Sequence, residues 1–151
     1  MAILTSAQSA DVVPIAYLLQ ELDRFYGATS PEPLDDQIAH INEALFNGSP
    51  AAYALLAWSD EKLVGFASYS FLWPAAGLTR SLYLKELYVV EAFRRNGIGV
   101  QLMDELHVIA RANRCSRVEW MTDTPNADAQ RFYETFGVSP DSSKIFYRST
   151  L

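Results

Sequence analysis

Arg94-Arg95-Asn96-Gly97-Ile98-Gly99-Val100 lies between an apolar run, Ser81 to Val90, and a long amphipathic segment with Ile98, Leu102, Leu106 and Ile109 on one face. The first run reads as a strand and the second, Gly97 to Asn113, as a helix. Glycines at 97 and 99 let the backbone turn tightly and let a ligand approach the main chain. The first amides of a helix lack internal acceptors, and the helix dipole adds positive potential there. Strand, glycine loop and helix start therefore predict an anion site suited to a pyrophosphate, with Arg94 and Arg95 supplying charge.

Two common nucleotide loops do not fit. A Walker loop needs Gly-Lys-Ser/Thr, but Gly99 is followed by Val100-Gln101. A dinucleotide fingerprint needs a third glycine where Leu102 stands and begins directly off its strand, whereas Glu91 to Asn96 intervene here.

Outward from the loop, the chain punctuates itself clearly. Upstream, Ile3 to Ser6 is a short strand, and Asp11 to Tyr26 is a helix with Pro14 in its first turn and Gly27 as its stop. A proline-containing loop, Ala28 to Leu34, leads to a second helix that starts at Asp35 or Asp36 and ends at Asn47-Gly48. Ala52 to Trp58 and Leu63 to Trp73, joined by Ser59-Asp60-Glu61-Lys62, form a hairpin. Downstream come a strand at Arg117 to Met121, a helix at Ala127 to Phe136 ended by Gly137, and a last strand at Ile145 to Thr150. Hairpins followed by a crossover predict an α/β chain with a mixed sheet and helices on its faces.

Composition narrows the class. The 151 residues suit one domain, expected to span 1–151; half are hydrophobic, and the net charge is −6. That acidity disfavours nucleic acid as a partner. A single cysteine, Cys115, cannot form an internal disulfide, and no His/Cys cluster implies a metal. Met1 to Ala10 lacks the basic and apolar regions of a signal peptide, and no run approaches the roughly 20 apolar residues of a membrane span. A cytoplasmic protein without membrane association is expected.

The loop, with Arg94, Gly97 and Gly99, resembles the Arg/Gln-x-x-Gly-x-Gly/Ala signature of the GCN5-related N-acetyltransferase (GNAT) family. Leu82-Tyr83-Leu84-Lys85-Glu86-Leu87-Tyr88-Val89-Val90 resembles that family's central strand. Asn126-Ala127-Asp128-Ala129-Gln130-Arg131-Phe132-Tyr133-Glu134-Thr135-Phe136-Gly137 resembles its Asn-x-x-Ala-x-x-Phe-Tyr-x-x-x-Gly segment. The resemblance is strongest from Leu63 to Val138. It implies the GNAT fold, a central mixed sheet of about six to seven strands with about four flanking helices. It also implies acetyl-CoA as co-substrate, direct acetyl transfer to an amine, and a possible homodimer through an exposed strand.

The resemblance assigns roles residue by residue. Backbone groups of Leu87, Tyr88 and Val89, freed by a bulge, would pair with the pantetheine arm. Arg94, Arg95, Asn96, Gly97, Ile98, Gly99 and Val100 would hold the pyrophosphate. Asn126 would cap the following helix and, with Ala129, contact the coenzyme. Tyr133 would protonate the leaving thiolate, a transfer between groups with reference pKa values near 10 and 8.5. Glu86 is the candidate base, with Glu119 and Asp123 as weaker ones.

Among GNAT enzymes the central motifs look most like the diamine, spermidine/spermine-type, acetyltransferases. That subgroup carries an acidic residue where Lys85 stands, and Tyr-Glu where Phe25-Tyr26 stands. A lysine beside the acceptor repels a dication. Phe25, Tyr26, Lys85 and Glu119, with Phe71 and Trp73, are candidate acceptor-side residues. Small amine, amino acid, aminoglycoside-like molecule and peptide amino group all remain open as acceptors. The alternatives to an enzyme are a catalytically weak acetyl-CoA sensor and an interaction module on the same fold. His40, His107 and Cys115 are read as structural.

Overall fold

A computed structural model describes all 151 residues, which fall into two compact units, Met1–Trp120 and Met121–Leu151. The first unit contains strands β1 (Ile3–Ser6), β2 (Tyr53–Ser59), β3 (Lys62–Leu72), β4 (Arg80–Val89) and β5 (Cys115–Trp120). Its helices are α1 (Val12–Phe25), α2 (Leu34–Ile41) and α3 (Ile98–Ala112). The strands form one sheet in chain order, antiparallel from β1 through β4 and parallel between β4 and β5. The parallel step is the crossover through α3, as the order of elements requires.

Local chemistry sets these boundaries. The β2–β3 turn consists of Asp60 and Glu61, both at positive φ, 47° and 62°. That left-handed pair matches the twist of the flanking strands. At the end of α1, Gly27 sits at φ 91°, its amide bonds to Arg24 O, and the Ala28 amide reaches back to Asp23 O. This is the paired C-terminal closure that glycine allows, and it leaves Phe25 and Tyr26 exposed at the helix end. The second helix runs past Ile41 as a wider π turn, Asn42–Phe46.

Residues paired across an antiparallel ladder share a face, and the two faces pack differently. On one, Val12, Ile15, Leu18 and Leu22 of α1 and Ile41 of α2 cluster with Leu56, Phe66 and Tyr88. On the other lies α3, whose Ile98, Leu102, Met103, Leu106 and Ala110 are buried. Gly65 of β3 is why α3 sits so close. A Cβ there would come within 3.0 Å of Ala57 Cβ, 3.1 Å of Ile98 Cγ2 and 3.3 Å of Leu102 Cδ1.

The second unit holds α4 (Ala127–Glu134), whose Phe132 ring meets Tyr133 and Phe136 edge-on, each at 5.3 Å. The strand expected at Ile145 to Thr150 is not formed, so the sheet has five strands rather than six or seven. Ile145, Phe146 and Tyr147 are exposed, and Arg148 lies over the Phe146 ring. A run of strand-forming residues makes a strand only where a neighbouring ladder takes up its backbone groups; this segment belongs to no sheet.

Candidate active site

The strand that leads into the glycine loop is interrupted at one residue. Across β3 and β4, Ser68 pairs with Glu86 but Tyr69 pairs with Leu84, so Lys85 is an extra residue, a β-bulge. On the other side, the β4–β5 ladder ends at Leu84–Trp120. From Glu86 to Val89, β4 therefore pairs with β3 alone and, with the bulged Lys85, presents a backbone edge where a parallel neighbour has parted from it. Such an edge accepts an extended partner as an added strand.

The edge runs into the loop. Glu91–Phe93 makes one tight turn, Arg95 adopts φ 63°, and Gly97 caps α3 from the left-handed region at φ 80°, ψ 4°. No side chain caps this helix, and its first internal bond joins the Gln101 amide to Gly97 O. The amides of Ile98, Gly99 and Val100 thus open the helix without an intrahelical acceptor, the arrangement that favours an anion. Asn96 braces the turn through Nδ2 to Phe93 O at 3.2 Å.

The two arginines do different things. Arg95 is exposed, whereas Arg94 is half-buried. Arg94 Nε donates to Val89 O at 2.8 Å, and its guanidinium lies 4.9 Å from the centre of the Phe25 ring and 5.4 Å from that of Tyr88. Burial raises the Tyr88 phenol above its ordinary value, Glu21 adds to the rise, and Arg94 opposes it.

The face of the sheet that carries α1 turns polar at the bulge. Beyond the apolar Phe66–Tyr88 pair come Ser68 opposite Glu86 and Ser70 opposite Tyr83. Glu86 is half-buried and Lys85 exposed. On β5, Glu119 registers with Tyr83. The Glu119 carboxylate accepts from the buried Ser81 hydroxyl at 2.5 Å and lies 4.0 Å from Arg117. Burial, and then Glu119, raise the Tyr83 phenol. Ser81 and Arg117 thus both stand against the Glu119 carboxylate. Ser68, Ser70 and Tyr83 were not singled out from sequence. The period-two alternation from Leu63 to Trp73 does place both serines on the Phe66 side.

The aromatic residues expected near the acceptor do not form one group. Phe25 and Tyr26 meet edge-on at 5.3 Å at the end of α1. Phe71 and Trp73 instead line a cavity of about 340 Å³ with Tyr53 and Arg80, at the far end of β4 from the bulge. His40 borders a second cavity of about 360 Å³ and lies 3.3 Å from exposed Glu32. His107 bonds through Nδ1 to Met103 O within α3. In the second unit, Asn126 caps α4, its Oδ1 accepting from the Ala129 amide at 3.1 Å. A cap of this kind contributes about 1 kcal/mol. Asp123 O accepts from the Asn126 amide, and Tyr133 is partly buried within α4.

Residues 15–138 match the sequence model of the acetyltransferase (GNAT) family. The chain belongs to that family. It is an N-acetyltransferase. GNAT relatives include an aminoglycoside N(6′)-acetyltransferase type 1 from Serratia marcescens, 30% identical over 126 residues, 81% of this chain and 83% of that protein. A thialysine N-epsilon-acetyltransferase from Sus scrofa is 25% identical over 147 residues, 89% of this chain and 82% of that one. Among solved structures, an integron cassette protein from the mobile metagenome of V. cholerae superposes with a TM-score of 0.91 at 28% identity, over 99% of this chain and 92% of its own. GNAT enzymes draw their acetyl group from acetyl-CoA, and the β4 edge and the α3 start, which no side chain caps, suit an extended arm ending in a pyrophosphate. No helix is long and apolar enough to cross a membrane.

Proposed function

We propose that this enzyme, as one acetyltransferase domain over residues 1–151, moves the acetyl group of acetyl-CoA directly to a primary amine of a small, positively charged molecule. The observation that carries this reading is the β4 edge from Lys85 to Val89, parted from β5 and running into the glycine-capped start of α3. Backbone groups of Leu87, Tyr88 and Val89 would take the pantetheine arm as an added strand. The amides from Arg95 to Val100, Gly97 and Gly99 among them, would take the pyrophosphate. Asn126 and Ala129, at the start of α4, are the coenzyme contacts that the family's motif assigns to these positions.

The chemistry needs one proton removed and one supplied. An ammonium has no lone pair, so the acceptor must lose a proton before nitrogen attacks the thioester carbonyl. Glu86, on the polar part of the sheet face, is the group we assign to accept it, directly or through a water. Collapse of the tetrahedral adduct breaks the C–S bond, and Tyr133 donates its phenolic proton to the departing sulfur. The products are the acetamide and CoA.

A cationic acceptor fits the polar face and the net charge of −6, which draws cations toward the surface. The relatives' names point to amines of two sizes, an aminoglycoside and thialysine. Lys85 stands at the bulge beside Glu86 and disfavours a second positive charge close to the reacting amine. We therefore place the acceptor's other charges away from Lys85, toward Glu119, with Phe25 and Tyr26 as apolar flanking residues.

The test is release of CoA thiol from acetyl-CoA in the presence of an aminoglycoside, spermidine or thialysine. Saturable release with one of them supports the reading. Tight acetyl-CoA binding without release for any amine would replace it with a sensor.

A further inference from the structure

Arg94 occupies a different place from a phosphate-seeking surface arginine. It is half-buried while its neighbour Arg95 is exposed. One side chain reaches three elements: it grows from the glycine loop, its Nε holds the carbonyl of Val89, and its guanidinium covers Phe25 at the end of α1 and Tyr88 of β4. The two rings are themselves in contact, 6.0 Å apart and tilted by 59°. A planar guanidinium can cover ring faces while donating in its own plane; an ammonium cannot do both.

We infer that Arg94 is a positioning residue, which locks the end of the coenzyme-binding edge of β4 to the end of α1, and that its charge is not what holds the phosphates. The argument is geometric. The Val89 carbonyl closes the edge on which an extended arm would pair, and the Arg94 bond fixes the orientation of that peptide. The same side chain seats Tyr88, one residue earlier, and Phe25, whose helix borders the polar face. Removing it loosens the edge and the α1 end together. This role rests on the coenzyme reading above, and it concerns the pantetheine arm rather than the pyrophosphate.

The two roles separate with ligands that differ in phosphate. CoA carries the pyrophosphate; pantetheine carries no phosphate. Dissociation constants for both are measured by NMR chemical-shift titration on the wild type, Arg94→Ala, Arg94→Lys and Phe25→Leu. A positioning role predicts that both Arg94 variants weaken CoA and pantetheine by the same factor, about tenfold, since a charged hydrogen bond and ring contacts are lost together. Phe25→Leu, at an exposed position that leaves the core intact, weakens both ligands in the same way but less. It keeps the test open if Arg94→Ala does not fold. Loss confined to CoA and restored by lysine would show that Arg94 acts as a phosphate cation, and unchanged constants would equally overturn the proposal. A wild type that bound neither ligand would remove the coenzyme reading and this role with it.

Discussion

Two side chains carry the proposed proton transfers, and each predicts its own signature. Tyr133→Phe keeps the ring beside Phe132 and removes only the phenolic proton. It should lower kcat by about 10²-fold, the usual scale for a general acid, and leave acetyl-CoA affinity unchanged in a titration; undiminished turnover would remove Tyr133 from the mechanism. A carboxylate base must be ionised to act, so the wild-type rate rises with pH through its pKa. Glu86→Gln should abolish that rise on the acid side of the kcat/KM profile, and a profile of wild-type shape would move the role elsewhere. Gly97 is demanded by its backbone rather than by crowding, since nothing stands within 4 Å of an added Cβ but φ is 80°. Gly97→Ala should cost about 1–2 kcal/mol in denaturant unfolding, the price of the left-handed region for a residue with a Cβ. The glycine loop was legible from sequence because glycine, strand and helix signals coincide there. The Arg94 packing was not, because Phe25 is far from it in the chain and only the fold brings the two together.

At the scale of elements, the bulge and the early end of β5 make the site, and α3 holds it in place. Gly65 lets Ile98 and Leu102 seat against β3, so the start of α3 is positioned from beneath the sheet. Gly65→Val would force those side chains apart, a destabilisation of about 1–3 kcal/mol by overpacking. The same variant should weaken CoA binding, because Ile98 begins the helix whose amides face the pyrophosphate. Intact CoA affinity at reduced stability would show that α3 does not need this seat. Most elements were readable from apolar periodicity: β1 falls on Ile3 to Ser6 as expected, and α1 lies one residue inside the expected bounds at each end. The bulge was invisible to that method. Leu82 to Val90 has apolar residues at both parities on either side of the charged pair Lys85-Glu86, so alternation alone does not show that Lys85 is an added residue; only the family resemblance implied a bulge here. The strand expected from Ile145 to Thr150 failed for another reason: its β-branched and aromatic residues suit a strand, but it lacks a pairing strand.

For the whole molecule, ionisation sets an alkaline limit. Burial is the leading cause that raises Tyr69, Tyr83 and Tyr88 above the ordinary value of 10.0. The unfolded chain then releases these protons first as pH rises, so the folded state binds more protons and stability falls with pH. The contribution is whole below pH 10 and disappears as pH climbs through the raised values. Melting temperature should decline above about pH 10, and Tyr69→Phe should make that decline shallower; an unchanged slope would mean that Tyr69 does not contribute. The central claim is that acetyl-CoA lies along β4 and ends at α3. Amide hydrogen exchange with and without acetyl-CoA tests this directly. The account predicts new protection at residues 85–89 and 95–100, with little change along β1 and β2. Protection elsewhere, or none at saturating acetyl-CoA, would contradict it.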